Sequence, residues 1–224
     1  MTTKHFLNLR DLSNQDILNI LDRAIERKSQ KQKEKTLIGS KLGLIFEKPS
    51  TRTRISFESG ILNLGGNAIF MSSSDLQLSR GEPVSDTAKV ASSMLDVIAL
   101  RVDKHETLEM FASNSSVPVI NALSDLSHPC QILADLMTFK ENSANELEKV
   151  CWIGDGNNVC NSYVEASRIL DFELSIYCPK EYSPDPSFLN YAKQNSSFAN
   201  SREEAAKGAD IITTDVWVSM GDEK

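Results

Sequence analysis

Long apolar runs are missing from this 224-residue sequence, and no stretch approaches the ~20 apolar residues that a membrane-spanning helix needs. The opening MTTKHFLNLRDLS lacks the apolar centre and cleavage site of a secretion signal. Cysteine is sparse: Cys130, Cys151, Cys160 and Cys178 form no CxxC pair, which predicts reduced thiols in a cytoplasmic protein. No metal-ligand spacing occurs, and no metal or organic cofactor is expected. A surplus of positive charge is also absent. The net charge of -7 argues against a nucleic acid as the main partner, but it permits a small anion in a local basic pocket. Repeats and low-complexity tracts are absent too.

What is present alternates between two kinds of segment. Ser13, with Asp16 three residues on, marks a capped helix start, and Ile17, Ile20, Leu21, Ala24 and Ile25 give that helix one apolar face. KLGLIF then reads as a buried strand. A helix carrying Ile55, Phe57, Ile61 and Leu62 follows, and Gly65-Gly66 ends it. Further along come the strands AIFM, DVIALRV and VPVINAL, with helices over 84–94, 104–114 and 129–139. The polar tract KENSANELE looks like a boundary. Beyond it the pattern restarts with VCWIG, a helix near 158–170, LSIYCP, short helices and ADIITTD. Such alternation predicts an α/β fold of two domains, each a mostly parallel sheet flanked by helices. The expected domains are 1–140 and 150–224.

Three short segments carry chemistry. In FEKPSTRTRISFE, residues Ser50, Thr51, Arg52 and Thr53 fall between a strand and a helix. Ligands of open α/β sheets collect beyond the carboxyl ends of strands. A helix N-terminus adds unpaired N–H groups and partial positive charge, and Arg52 adds a bidentate fork for phosphate oxygens. The plainer alternative is a capped helix with solvated arginines. Arg101 ends the strand DVIALR, where an unpaired charge is costly and so needs a partner, either a ligand or a structural carboxylate. In SHPCQ, His128 precedes Pro129 at a helix start, with Gln131 three residues later, so both side chains can face one ligand. The alternative there is a capping histidine. Together the three segments suit a phosphate that carries a carbonyl group.

The second half has WIGDGNN, whose Gly154-x-Gly156 lacks the third glycine of a dinucleotide site, and the next strand does not end in an acid. DVWVSMG follows ADIITT, and its Asp215 suits an ammonium group.

FEKPSTRTRISFE with HPCQ resembles the aspartate/ornithine carbamoyltransferase family, and Cys130 and DVWVSMG point to its ornithine branch. The resemblance runs from HFLNLRDLS to the last residue. It implies transfer of the carbamoyl group of carbamoyl phosphate to L-ornithine, giving L-citrulline and phosphate. Ser50, Thr51, Arg52 and Thr53 would bind the phosphate, and Arg101, His128 and Gln131 the carbamoyl part. Arg52, Arg101 and His128 would be catalytic. Gln77 would be lent to a neighbouring subunit in a homotrimer. Asn158, Asp215, Ser219 and Met220 would bind ornithine. The first domain is then the carbamoyl phosphate domain and the second the ornithine domain. Ser79 and Pro83 stand where many members have Gly and Ser; Pro83 keeps acylated ornithine and putrescine in view as acceptors, and aspartate is the nearest rival, against which VSMG and Cys130 argue. Members continue past this sequence to a His-Cys-Leu-Pro motif and a final helix. The sequence therefore reads as an incomplete chain, expected to be inactive alone, and a carbamoyl-phosphate-binding module without turnover is the rival reading.

Overall fold

The computed structural model describes residues 3–30, 34–77 and 81–215. A single 3-10 turn at Leu9–Asp11 leads into α1 (Asn14–Ser29). Its start is a reciprocal cap: Ser13 Oγ accepts from Asp16 N–H, and Asp16 Oδ2 accepts from Ser13 N–H, both at 3.1 Å.

The next elements are β1 (Lys41–Phe46), α2 (Thr51–Asn63), β2 (Asn67–Ser72), α3 (Val84–Ser92), β3 (Val97–Arg101), α4 (His105–Asn114) and β4 (Val119–Leu123). The four strands pair in parallel in the order β2-β1-β3-β4. β1 is buried from its second residue onward, as a strand with both faces covered must be. Ile45, Ile98, Leu100, Leu108 and Phe111 fill one side of the sheet, and Leu44, Phe46, Ile61, Ala99 and Ala122 the other. Each large apolar side chain so buried contributes roughly 1.5–3 kcal/mol.

The later elements are α5 (Pro129–Asn142), β5 (Lys149–Ile153), α6 (Asn158–Leu170), β6 (Glu173–Tyr177), α7 (Pro186–Tyr191), β7 (Ser196–Phe198), α8 (Arg202–Ala206) and β8 (Ile211–Thr213). They form a second parallel sheet, in the order β7-β6-β5-β8. Trp152, Tyr163 and Phe172 are its largest wholly buried side chains. The two-sheet α/β architecture expected from the alternation is thus observed. The short β7 and α8 were not individually legible, because three strand residues and one and a half helical turns carry too little periodicity.

By packing, the chain divides into one unit of residues up to Leu7 with Glu26–Ser124, and a second of Asn8–Ile25 with everything from Asp125 onward. The boundary expected from composition lies at KENSANELE, at the end of α5, and the packing units divide before that helix. Within the second unit, α5 is tied to α6 by Tyr163 Oη donating to Asp135 at 2.8 Å. Residues 8–25 join the same unit: Leu9 N–H donates to Glu165 at 3.0 Å, and Lys140 pairs with Asp22 at 2.7 Å.

Each sheet has one point where the strand order reverses. In the first it lies between β1 and β3, and in the second between β5 and β8. Crevices at such points are where open α/β sheets take ligands.

Candidate active site

In the first unit, both arginines picked from the sequence flank the reversal point. Ser50 caps α2: its Oγ accepts from Thr53 N–H at 3.4 Å and donates to Thr53 Oγ1 at 2.9 Å. The first turn leaves backbone N–H groups of Thr51 and Arg52 without intrahelical acceptors. The two arginines of the TRTR stretch separate in role. Arg54 lies over the Phe70 ring at 3.6 Å and pairs with Glu58 at 2.8 Å. Arg52 is exposed, and among the described residues its side chain makes neither a hydrogen bond nor an ion pair.

Arg101 reaches this place because the β3–β4 register shifts between Leu100 and Arg101. A bulge of this kind re-aims the side chain that follows it. Its guanidinium is half-buried, and its Nε has no hydrogen-bond partner among the described residues. Burial, and then the charge of Arg52, hold Arg101 below the ordinary arginine range, with Asp103 acting the other way. Two like charges brought together, one of them incompletely paired, create a demand for an anion. The structural-salt-bridge alternative for Arg101 leaves that Nε unexplained.

His128 and Gln131 fall, by packing, in the second unit. His128 is the N-cap residue of α5, with Pro129 in the first turn. Its backbone N–H donates to Ser162 Oγ at 2.8 Å, and that hydroxyl donates to the Asn158 carbonyl at 2.8 Å. Gln131 is exposed and donates from Nε2 to Asp135 Oδ1 at 2.9 Å.

At the β5/β8 reversal point, GDGNN makes a tight turn into α6. Gly154 adopts φ 142°, and a Cβ on Gly156 would sit 2.1 Å from Pro184 N, so glycine is required there for packing. Asn157 caps α6, its Oδ1 accepting from Val159 and Cys160 N–H. Its Nδ2 donates to Asp215 Oδ2 at 2.7 Å, across the reversal point. Asn158, the residue chosen from sequence, is buried next to it. Asn157 was missed, although an asparagine directly before a helix is a strong capping signal. Ser162, Asp135 and Tyr163 were missed as well. Ser79, Ser219 and Met220 lie outside the described residues. Gln77 is described: it is exposed, and its carbonyl accepts from Glu82 N–H at 3.2 Å. Among the described residues no group of three or more His, Cys, Asp or Glu could hold a metal ion, and no helix is long and apolar enough to cross a membrane.

An arginine pair thus lies at one switch point of this α/β fold, and a carboxylate held by an amide at the other. Residues 4–141 match the carbamoyl-P binding domain of the aspartate/ornithine carbamoyltransferases, and residues 147–224 match their Asp/Orn binding domain. The chain belongs to the aspartate/ornithine carbamoyltransferase family. It is 52% identical to an ornithine carbamoyltransferase of Acinetobacter baumannii, over 100% of this chain and 74% of that protein. The crystal structure of the anabolic ornithine carbamoyltransferase of Campylobacter jejuni superposes with a TM-score of 0.92 at 48% identity, covering 98% of this chain and 75% of that one. The ornithine carbamoyltransferase of Pyrococcus furiosus also gives 0.92, at 41% identity, over 99% and 74% of the two chains.

Proposed function

We propose that this chain carries the carbamoyl-transfer chemistry of an ornithine carbamoyltransferase, moving the carbamoyl group of carbamoyl phosphate to L-ornithine to give L-citrulline and phosphate. The observation that carries the proposal is the Arg52–Arg101 pair at the β1/β3 switch point, with Arg101 Nε unpartnered among the described residues. The phosphate takes Ser50, Thr51, Arg52 and Thr53, and the carbamoyl carbonyl takes Arg101 and His128, with Gln131 on its amide. The neutral side-chain amine of ornithine attacks the carbonyl carbon. A C–N bond forms and a tetrahedral oxyanion results; its collapse breaks the C–O bond to phosphate, which leaves with the proton lost by the attacking nitrogen. Arg52, Arg101 and His128 stabilise the charge that moves from carbonyl to phosphate. Donors fixed in place for such a charge are worth about 3–4 kcal/mol each in comparable sites.

Ornithine is held by Asn158, Asp215, Ser219 and Met220. Asp215, presented by Asn157, meets an ammonium group and repels the additional carboxylate of aspartate. The protein is a cytoplasmic homotrimer in which the polar 72–83 segment, Gln77 included, serves a neighbouring subunit. Light scattering on the full-length protein tests the trimer. The chemistry is tested by assaying citrulline and carbamoyl-aspartate side by side in the full-length protein. Citrulline should dominate and should fall steeply in Asp215→Ala. Carbamoyl-aspartate at or above citrulline would overturn the acceptor assignment. Failure to bind carbamoyl phosphate would overturn the donor assignment.

A further inference from the structure

Gln131 and Asp135 stand one helical turn apart on α5, and a Gln–Asp pair at that spacing is by itself a common surface feature worth a few tenths of a kcal/mol. Here the carboxylate is engaged from both sides. Oδ1 accepts from Gln131 Nε2 at 2.9 Å, and Oδ2 accepts from the hydroxyl of Tyr163 at 2.8 Å. Tyr163 is wholly buried, and the Thr213 side chain of β8 lies near its hydroxyl. Burial and the neighbouring carboxylate raise its pKa, so the phenol keeps its proton and remains a donor. A cavity of about 720 Å³ opens beside Asp135 among the described residues, bounded also by Tyr163, Thr213 and Asp210. The two hydrogen bonds orient its carboxylate.

A carboxylate accepts and does not donate. Gln131 must therefore turn its NH2 toward Asp135, because the flipped amide would set two oxygens against each other. The free end of the amide is then Oε1, an acceptor, which matches the NH2 of a carbamoyl group. We infer that Asp135, clamped by Tyr163, is a positioning residue that fixes the Gln131 amide with its oxygen directed to the carbamoyl NH2. The inference rests on the proposed role of Gln131 and adds the device that sets its polarity.

The test is a double-mutant cycle in the full-length protein, reading carbamoyl phosphate affinity by calorimetry and citrulline turnover. Asp135→Asn keeps the shape but offers an NH2, which lets the amide flip. It should weaken carbamoyl phosphate binding about tenfold, as expected for one lost hydrogen bond of ordinary strength. In a Gln131→Ala background the same change should cost nothing further. Tyr163→Phe, which leaves the carboxylate free to turn, should act in the same direction, also only when Gln131 is present. KM for ornithine should stay within about twofold throughout. Penalties that add in the Gln131→Ala background, or an Asp135→Asn protein that binds as wild type, would overturn the inference. If Gln131→Ala alone leaves binding unchanged, the assigned role of Gln131 fails, and the inference fails with it. The proposed reaction stands or falls separately, on whether the wild-type protein makes citrulline.

Discussion

The backbone N–H of His128 donates to Ser162 Oγ at 2.8 Å, and the same hydroxyl donates to the carbonyl of Asn158, also at 2.8 Å. One serine in the middle of α6 thus joins the start of α5 to the start of its own helix. A hydroxyl has one proton to give and lone pairs to accept with, and here both functions are engaged. Ser162→Ala would leave a partly buried amide donor without its acceptor. It should lower stability by about 1–3 kcal/mol, read from the shift of the urea midpoint at unchanged slope. A change under a few tenths would mean that His128 N–H finds another acceptor.

The TRTR stretch contains two arginines that should respond oppositely to truncation. Arg54→Ala removes a cation–π contact with Phe70 and a surface pair with Glu58. The expected result is a loss of roughly 0.5–1 kcal/mol in stability and unchanged carbamoyl phosphate binding. Arg52→Ala should leave the melting temperature alone and weaken carbamoyl phosphate binding by about 1.5–3 kcal/mol. Arg52→Lys should restore little, because the planar fork is lost. Calorimetry and thermal melts on the three variants distinguish the roles, and a common phenotype would contradict them.

Arg101 pits stability against binding. Without ligand, its half-buried guanidinium faces the charge of Arg52 with Nε unpartnered among the described residues. Arg101→Gln should therefore keep or raise the melting temperature of the ligand-free protein. It should also abolish most of the stabilisation by carbamoyl phosphate, about 2.7 kcal/mol in the wild type at a hundred times its Kd. A ligand-free protein strongly destabilised by the change would show that Arg101 is structural.

Glu165 supplies the pH dependence. Its side chain is wholly buried, and burial raises its pKa above the ordinary 4.5, with Arg10 and the Leu9 N–H acting against that shift. A carboxyl whose folded pKa lies above its unfolded value favours the fold when protonated. That contribution is complete below about 4.5 and is lost as pH rises through the higher folded value. Glu165→Gln should flatten the decline in stability on the alkaline side of that window, in urea titrations from pH 4.5 to 8. An identical pH profile in both proteins would argue that Arg10 fully offsets the burial.

The sequence was informative where a pattern is local. KLGLIF, the Ser13–Asp16 cap and the helix after STRT are set by residues within one or two turns, and each is where the spacing puts it. Arg101 could be found because a charge that ends an apolar strand stands out. Asn157 could have been found from its capping position. Asp135 and Tyr163 could not: they lie 28 residues apart, and each looks like an ordinary helix residue until α5 and α6 are brought together.

Residues 8–25 belong by packing to the second unit, although Glu26–Ser124 of the first unit intervene in the chain. During synthesis α1 emerges before its partners Lys140 and Ile169, which follow more than a hundred residues later. Until then the helix has an apolar face with nothing to cover it, and at 16 residues it is only marginally helical on its own. The order of synthesis therefore leaves α1 among the elements secured late, after the strands of the first sheet have been made.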